Sequence, residues 1–467
     1  MQVPILSGIY SDNGPDLRTS YPVNYIPVPK DSGVSNGFLR PAYGLVKNGT
    51  GLGPPRGAIN WNGTVYRVLG TKLCTVAQNG VVIVLGDVGG PINTLVTFDY
   101  SFDRLAIASG GRLYYWNVAL TQVTDPDLGI VLDVVWIDGY FMTTDGASLV
   151  VTELNDPYAV NPLKYGASEA DPDPVIALLK LRNEVYALNR YTIEVFDNVG
   201  GNLFPFQRIE GAQIQKGLIG TFGCCVFVES IAFLGSGKNE APGIYLGSNA
   251  TATKISTQEI DQILTNYTEL QLAQVKLEAQ NDKAHKHLYI HLPDRTLVYD
   301  AAASEAVQKP VWFTLTSSIV GFSEYKARDL VWCFDRWNVA DPTSNNLGYM
   351  VDNIGDHYGE KVRWEFGTQI VYNESHGAIF NSLELVSLTG RVMSGNTPQI
   401  STAYSVDGES WSQEFFISVG SIGDRTKRLV WFQQGFMRNM RIQRFKGDSD
   451  AHISFIRLEA ALEPLAF

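Results

Sequence analysis

The chain has 467 residues, of which 45% are hydrophobic and 18% charged, with a formal net charge of −12. That length exceeds one simple core and argues for two or three domains. The acidic balance argues against a protein that grips nucleic acid through its phosphates and is compatible with one that merely lets DNA pass. The 44 glycines, with 22 each of Tyr and Phe, point to an all-β protein rich in turns. Cys74, Cys224, Cys225 and Cys333 have no CxxC spacing and read as buried free thiols. The opening MQVPILSGIYSDNG lacks the basic, apolar pattern of a leader. No window reaches the ~20 apolar residues of a membrane-crossing helix.

Residues 1–55 are rich in Pro, Gly, Asn and Ser and read as an extended arm, suited to closing a ring or reaching a neighbour. Within it, GVSNG (33–37) has the spacing of a nucleophile elbow around Ser35. An elbow needs a strand before it and a helix after it, and neither pattern is present, so a loop is expected. A unit of two apolar runs joined by a turn then recurs. NGTVYRVLGTKLCTVA starts at 62, FDRLAIASGGRLYYWN at 102, DGYFMTTDGASLVVTEL at 138 and RNEVYALNRYTIEVFD at 182. Further copies start at 229, 286 and 328. A period of roughly 40–50 residues of short strands predicts four-stranded propeller blades, about seven of them, with six possible, over 56–356. The other reading of the units is a string of sandwich hairpins.

GDVGG (86–90) is not followed by a helical pattern and cannot cradle a phosphate at a helix N-terminus. Asp171 and Asp173 lie in a proline-rich loop, and nothing selects them as a glycosidase pair. A short helical insertion is expected near 256–273. There Ser256 with Glu259, and Thr268 with Gln271, read as capping boxes. In HKHLYIHLPDRTLVYD (285–300), His285, His287 and His291 share one strand face. At roughly 3.3 Å per residue, His287 and His291 sit about 13 Å apart, and His285 and His291 about 20 Å. One zinc ion cannot bridge the three, so a hairpin with a polar face is expected and no metal site.

From 357 to 467 the repeat stops, and strands at sandwich-like spacing predict a separate C-terminal β-domain. SVDGESW (405–411) approximates an Asp-box, which is a structural turn built on Asp407-Gly408. No HExxH, P-loop or EF-hand sequence is present. No catalytic residue and no cofactor is expected. Arg425, Lys427, Arg428, Arg438, Arg441 and Arg444, with Lys446 and Arg457, crowd the end of this acidic chain. They read as a solvated sheet face, a docking surface for an acidic neighbouring subunit, or a DNA contact.

Several stretches in register along the chain carry a family resemblance. They are NYIPVPKDSGVSNGFLRPAYGL, NGTVYRVLGTKL, QIQKGLIGTF (213–222), the helical insertion, IHLPDRTLVYD, SVDGESW and KRLVWFQQGFMRNMRIQRF. Together they resemble the tail nozzle, or tail hub, proteins of short-tailed lambdoid phages, also called packaged-DNA stabilisation proteins. The resemblance implies a non-enzymatic virion protein assembled in the host cytoplasm. It implies a homo-hexameric tube below the portal and its adaptor (head-to-tail) protein, which helps retain the packaged genome. It also implies a platform for the tail needle and tailspikes, with double-stranded DNA passing non-specifically and no insertion in a membrane. The other reading of the same chain is a phage-tail propeller that binds or hydrolyses a surface glycan.

Overall fold

Tight turns of one hand organise the chain. The computed structural model describes residues 2–6, 9–11, 18–30, 35–154, 156–373, 376–392, 395 and 397–465. Trp61 pairs with Thr64, Ile137 with Tyr140, Leu181 with Glu184 and Cys333 with Arg336, each across two residues. Phe227–Ser230 and Asp282–His285 do the same. The corners carry left-handed residues such as Asn62, Asp138, Arg182 and Asp335, at φ of 51, 49, 58 and 56°. Such turns match the twist of the flanking strands, so each hairpin stays flat enough to stack on the next.

These hairpins build seven antiparallel sheets, the blades of a propeller. Their inner strands are Pro55–Trp61, Thr97–Tyr100, Asp133–Ile137, Val175–Leu181, Cys224–Phe227, Lys276–Asp282 and Arg328–Cys333. Each touches the next in order, and the seventh touches the first. Branched and aromatic residues fill the spaces between blades. Val65, Leu69 and Cys74 of blade 1 pack on Val331, Cys333 and Leu347 of blade 7. On its other side, Val68 and Leu73 pack on Leu105 and Ile107 of blade 2.

Blade 7 supplies three strands from its own stretch of chain. Its fourth is Gly44–Thr50, which pairs with Asn346–Val351. The boundary expected at residue 55 therefore moves. The propeller takes its closing strand from inside the expected arm, because an unpaired outer strand would leave a row of open backbone groups.

Two further N-terminal strands join the C-terminal sandwich. Tyr25–Pro29 and Gly37–Pro41 form a hairpin in the same sheet as Phe455–Pro464, Ala378–Ser387 and Val430–Phe432. The facing sheet holds Arg363–Gly367, Met440–Asp448, Gln399–Ser405 and Phe415–Ser418. Tyr25 is fully buried between the two sheets. Its ring lies 5.2 Å from Trp364, 5.5 Å from Phe366 and 5.4 Å from Phe455, and its hydroxyl donates to Ile453 O at 2.7 Å. Just before it, Val23 bridges Thr314 of blade 6 and Glu365 of the sandwich. Asn24 donates to Thr316 O at 2.9 Å and to Arg363 O at 2.7 Å. Two consecutive residues, Val23 and Asn24, thus stitch propeller to sandwich. Of GVSNG, Gly33 and Val34 lie outside the described residues, and Gly37 opens a strand where an elbow would need a helix.

The helical insertion is α1 (Gln258–Thr265) and α2 (Glu269–Leu272). Ile260 and Leu264 bury against blades 5 and 6. The Thr268–Gln271 capping box forms. The expected Ser256–Glu259 box does not. Thr257 takes the cap position, and Ser256 donates to Asp261 at 2.6 Å instead. A further helix, α3 (Ala301–Val307), sits between the third and fourth strands of blade 6.

Truncating the Tyr25 ring should remove the centre of the sandwich core. We expect Tyr25→Ala to cost about 3–5 kcal/mol, read as a lowered urea midpoint. Deleting residues 2–50 should also unpair Asn346–Val351 and give concentration-dependent aggregation in size-exclusion chromatography.

Candidate interaction surfaces and the axial channel

The basic residues of the last strands divide by depth. Arg441 does not belong to a surface: it is fully buried, which corrects the expectation. Alternation along Met440–Asp448 turns Arg441, Gln443 and Phe445 inward. The guanidinium lies between the rings of Phe380 and Tyr404, at 4.1 and 3.8 Å from their centroids. It donates to Gln434 O at 2.6 Å and to Gln443 Oε1 at 3.1 and 3.0 Å. Burial pulls its pKa down to about 9. Arg444 faces outward but is half-covered, stacked 4.0 Å over Trp411 and 3.9 Å from Glu414. Arg425, Lys427, Arg428 and Arg438 are exposed. Arg428 is engaged by both carboxylate oxygens of Glu384.

The same edge carries exposed aromatic rings. Val430–Phe432 ends its sheet, with Phe432 72% exposed and Phe436 51%. On the facing sheet Phe415–Ser418 is also terminal, with Phe416 59% exposed. Trp431 Nε1 donates to Phe415 O at 2.9 Å and holds the two edges together. Exposed Arg and Phe beside open strand edges have the composition of a protein interface.

The second feature is the propeller axis. All seven inner strands line a cavity of about 400 Å³. Its acids are engaged in holding neighbouring blades. Asp99 of blade 2 accepts from Trp136 N at 2.5 Å. Asp133 of blade 3 accepts from Leu178 N of blade 4 at 2.8 Å. Glu278 of blade 6 accepts from Asp329 N and Leu330 N of blade 7 at 3.0 and 3.1 Å. Lys180 returns a bond to Trp136 O at 2.7 Å. Arg56 makes a similar staple from blade 1, donating to Gly89 O at 2.7 Å and to Ser109 Oγ of blade 2 at 3.0 Å. Burial pushes the Asp133 pKa up to about 7 and raises that of Asp99. Burial opposes ionisation of Glu278 too, but Lys276 and His291 overcome it and hold its pKa below the ordinary range.

The other sequence candidates are structural. Asp173 accepts from Tyr191 N and Thr192 N at 2.6 and 3.2 Å, and Asp171 pairs with Lys238 at 3.1 Å. Asp407 accepts from the Ser410 hydroxyl and caps its turn through Ser410 N and Glu409 N at 2.8 and 3.0 Å, and these bonds lower its pKa. Asp87 of GDVGG accepts from Gly89 N at 2.8 Å within its own loop. Cys74 and Cys333 are buried, while Cys224 and Cys225 are half-buried, and all four thiols are free. Of the three histidines of the blade 6 hairpin, His285 and His287 stack on each other at 5.1 Å, and His291 stands apart. His291 approaches Glu278 at 3.0 Å, whereas His285 and His287 approach Asp300 at 2.6 and 3.4 Å.

Fold and surfaces define a class first: an all-β scaffold whose strength lies in inter-blade stapling and whose accessible groups favour docking. Residues 1–355 match the family model described as bacteriophage P22 Gp10, beta-propeller, and 363–463 match its beta-sandwich counterpart. The chain belongs to this family. It is 26% identical to the tail hub protein gp10 of Salmonella phage P22, over 94% of both chains. Both matched families are structural and not enzymatic, and the chain is a structural protein of a phage tail. Among solved structures it is similar to the Pan2 WD40 domain of Neurospora crassa, at 9% identity and TM-score 0.42, covering 66% of this chain and 95% of that one. It is also similar to PorZ of Porphyromonas gingivalis, at 13% and 0.39, covering 80% and 46%. Likeness at that level says nothing about function.

The raised Asp133 pKa has a sign. Its folded value rises from 3.8 to about 7, so it contributes stability at pH values below 3.8 that is lost as pH climbs through 7. We expect Asp133→Asn to flatten the decline in wild-type stability between about pH 4 and 7 by more than about 1 kcal/mol, read from urea midpoints.

Proposed function

We propose that six copies of this chain close into a ring that forms the nozzle of a short phage tail, below the portal and its adaptor protein. The ring lines the exit channel, helps retain packaged DNA and offers a platform for the tail needle and tailspikes. The observation that carries this reading is the match to the P22 tail hub protein over nearly the whole of both chains. The two-body architecture supports it, since both domain families are matched in order.

Rings close through heterologous contacts, in which one surface of a copy meets a different surface of the next. The sandwich edge with Arg425, Lys427, Arg438, Phe432 and Phe436 is one half of such a contact, and the acidic remainder of the chain is the complementary half. DNA then meets a wall of net negative charge and slides without sequence-specific contacts. No observation favours the glycan reading: the loop acids Asp171 and Asp173 are engaged in an ion pair and in loop hydrogen bonds.

The test is the mass in solution with and without the adaptor complex. Wild type should reach a closed hexamer on the adaptor. The triple change R425E/K427E/R438E should weaken assembly at least about tenfold while leaving the thermal midpoint unchanged, because all three side chains are exposed. A wild-type chain that stays monomeric beside the adaptor overturns the proposal.

A further inference from the structure

His285 and His287 alternate onto one face of the second strand of blade 6, and Asp300 lies directly opposite His287 on the third. Their candidate ligand atoms all fall within 4.8 Å of one another. Asp300 Oδ2 is 2.6 Å from His285 Nδ1 and 3.4 Å from His287 Nε2. Four ligands around zinc, each bound at 2.0–2.1 Å, stand about 3.3 Å apart. The set needs only small side-chain shifts to close on one ion.

Two independent details point to a ligand. The first is His287, which is fully buried, with Nδ1 in no hydrogen bond and Nε2 held only by the long 3.4 Å approach to Asp300 Oδ2. An imidazole left so is costly unless something takes a lone pair. The edge of Phe313 packs on its ring at 5.3 Å, and His285 stacks at 5.1 Å, so the ring is held in place. The second is the division of labour in Asp300. Its Oδ1 accepts from Lys286 N, Ala302 N and Ala303 N at 3.3, 3.1 and 3.2 Å, fixing the carboxylate and aiming Oδ2 at the two rings. Backbone bonds that orient a ligating carboxylate are a regular part of metal sites.

We propose that His285, His287 and Asp300 bind one divalent transition-metal ion of the zinc class, which pins the two central strands of blade 6 to helix α3. Two imidazoles and one carboxylate select zinc, cobalt or nickel over magnesium and calcium, which prefer all-oxygen shells. The site is separate from the docking edge and does not rest on the ring assembly.

The experiment uses the full-length, untagged protein, stripped with chelator and then equilibrated with Zn²⁺ or Co²⁺ before desalting. Wild type should retain one equivalent by elemental analysis, show a tetrahedral Co²⁺ absorption band, and gain at least about 3 °C in thermal midpoint with Zn²⁺. H287Q and H285Q should each retain less than a tenth of that, while H291Q retains all of it. If H287Q fails to fold, H285Q at the rim decides, since His285 is 9% exposed. A folded wild type that retains no metal, or equal retention by wild type and H285Q, overturns the proposal.

Discussion

Everything in this molecule depends on the pairing of Gly44–Thr50 with Asn346–Val351. A propeller is a ring of sheets that each bury two faces against neighbours, so a missing outer strand would weaken the one blade where the two ends of the propeller stretch meet. Here the strand comes from the N-terminal segment, and the residues just before it continue into the sandwich. Tyr25 fills the sandwich core while Val23 and Asn24 bond to both bodies. The same stretch therefore closes the ring and fastens the second domain. Both matched domain families describe parts of one mechanical unit.

Polar groups reinforce that unit at its narrowest point. Around the axis the blades are close, and apolar packing thins out into a cavity. Asp99, Asp133 and Glu278 each reach the next inner strand and bond its backbone N–H groups. These acids are deep enough that burial lifts two of them toward neutrality. A site that looks like a row of acids in a pocket is in mechanical terms a row of clips.

Much of the propeller was legible in the sequence because its corners are local. Asn62-Gly63 and Asp138-Gly139 are strong hairpin signals, set two blades apart. The closing strand was not legible, because GLVKNGT carries no mark of a partner some three hundred residues away. Tyr25 was hidden for the same reason. Counting charges found the basic end of the chain but not its depth, so Arg441 was placed outside although its strand face turns it into the core. The Ser256 cap shifted by one residue because Thr257 beside it can serve equally. Helix α3 was missed because AAASEAV has no apolar periodicity, yet Asp300 before an alanine run was an available sign. The axial clips had a signal as well: a lone acid in each apolar run TFDY, LDVVWI and VKLEA.

Those clips join a carboxylate to a backbone amide, and Arg56 joins its guanidinium to carbonyl and hydroxyl oxygens. Mobile ions screen attraction between exposed opposite charges far more than they screen short, buried bonds to neutral dipoles. The grip between blades is consequently almost blind to ionic strength. A scaffold fastened this way keeps its shape when the electrolyte around it changes abruptly.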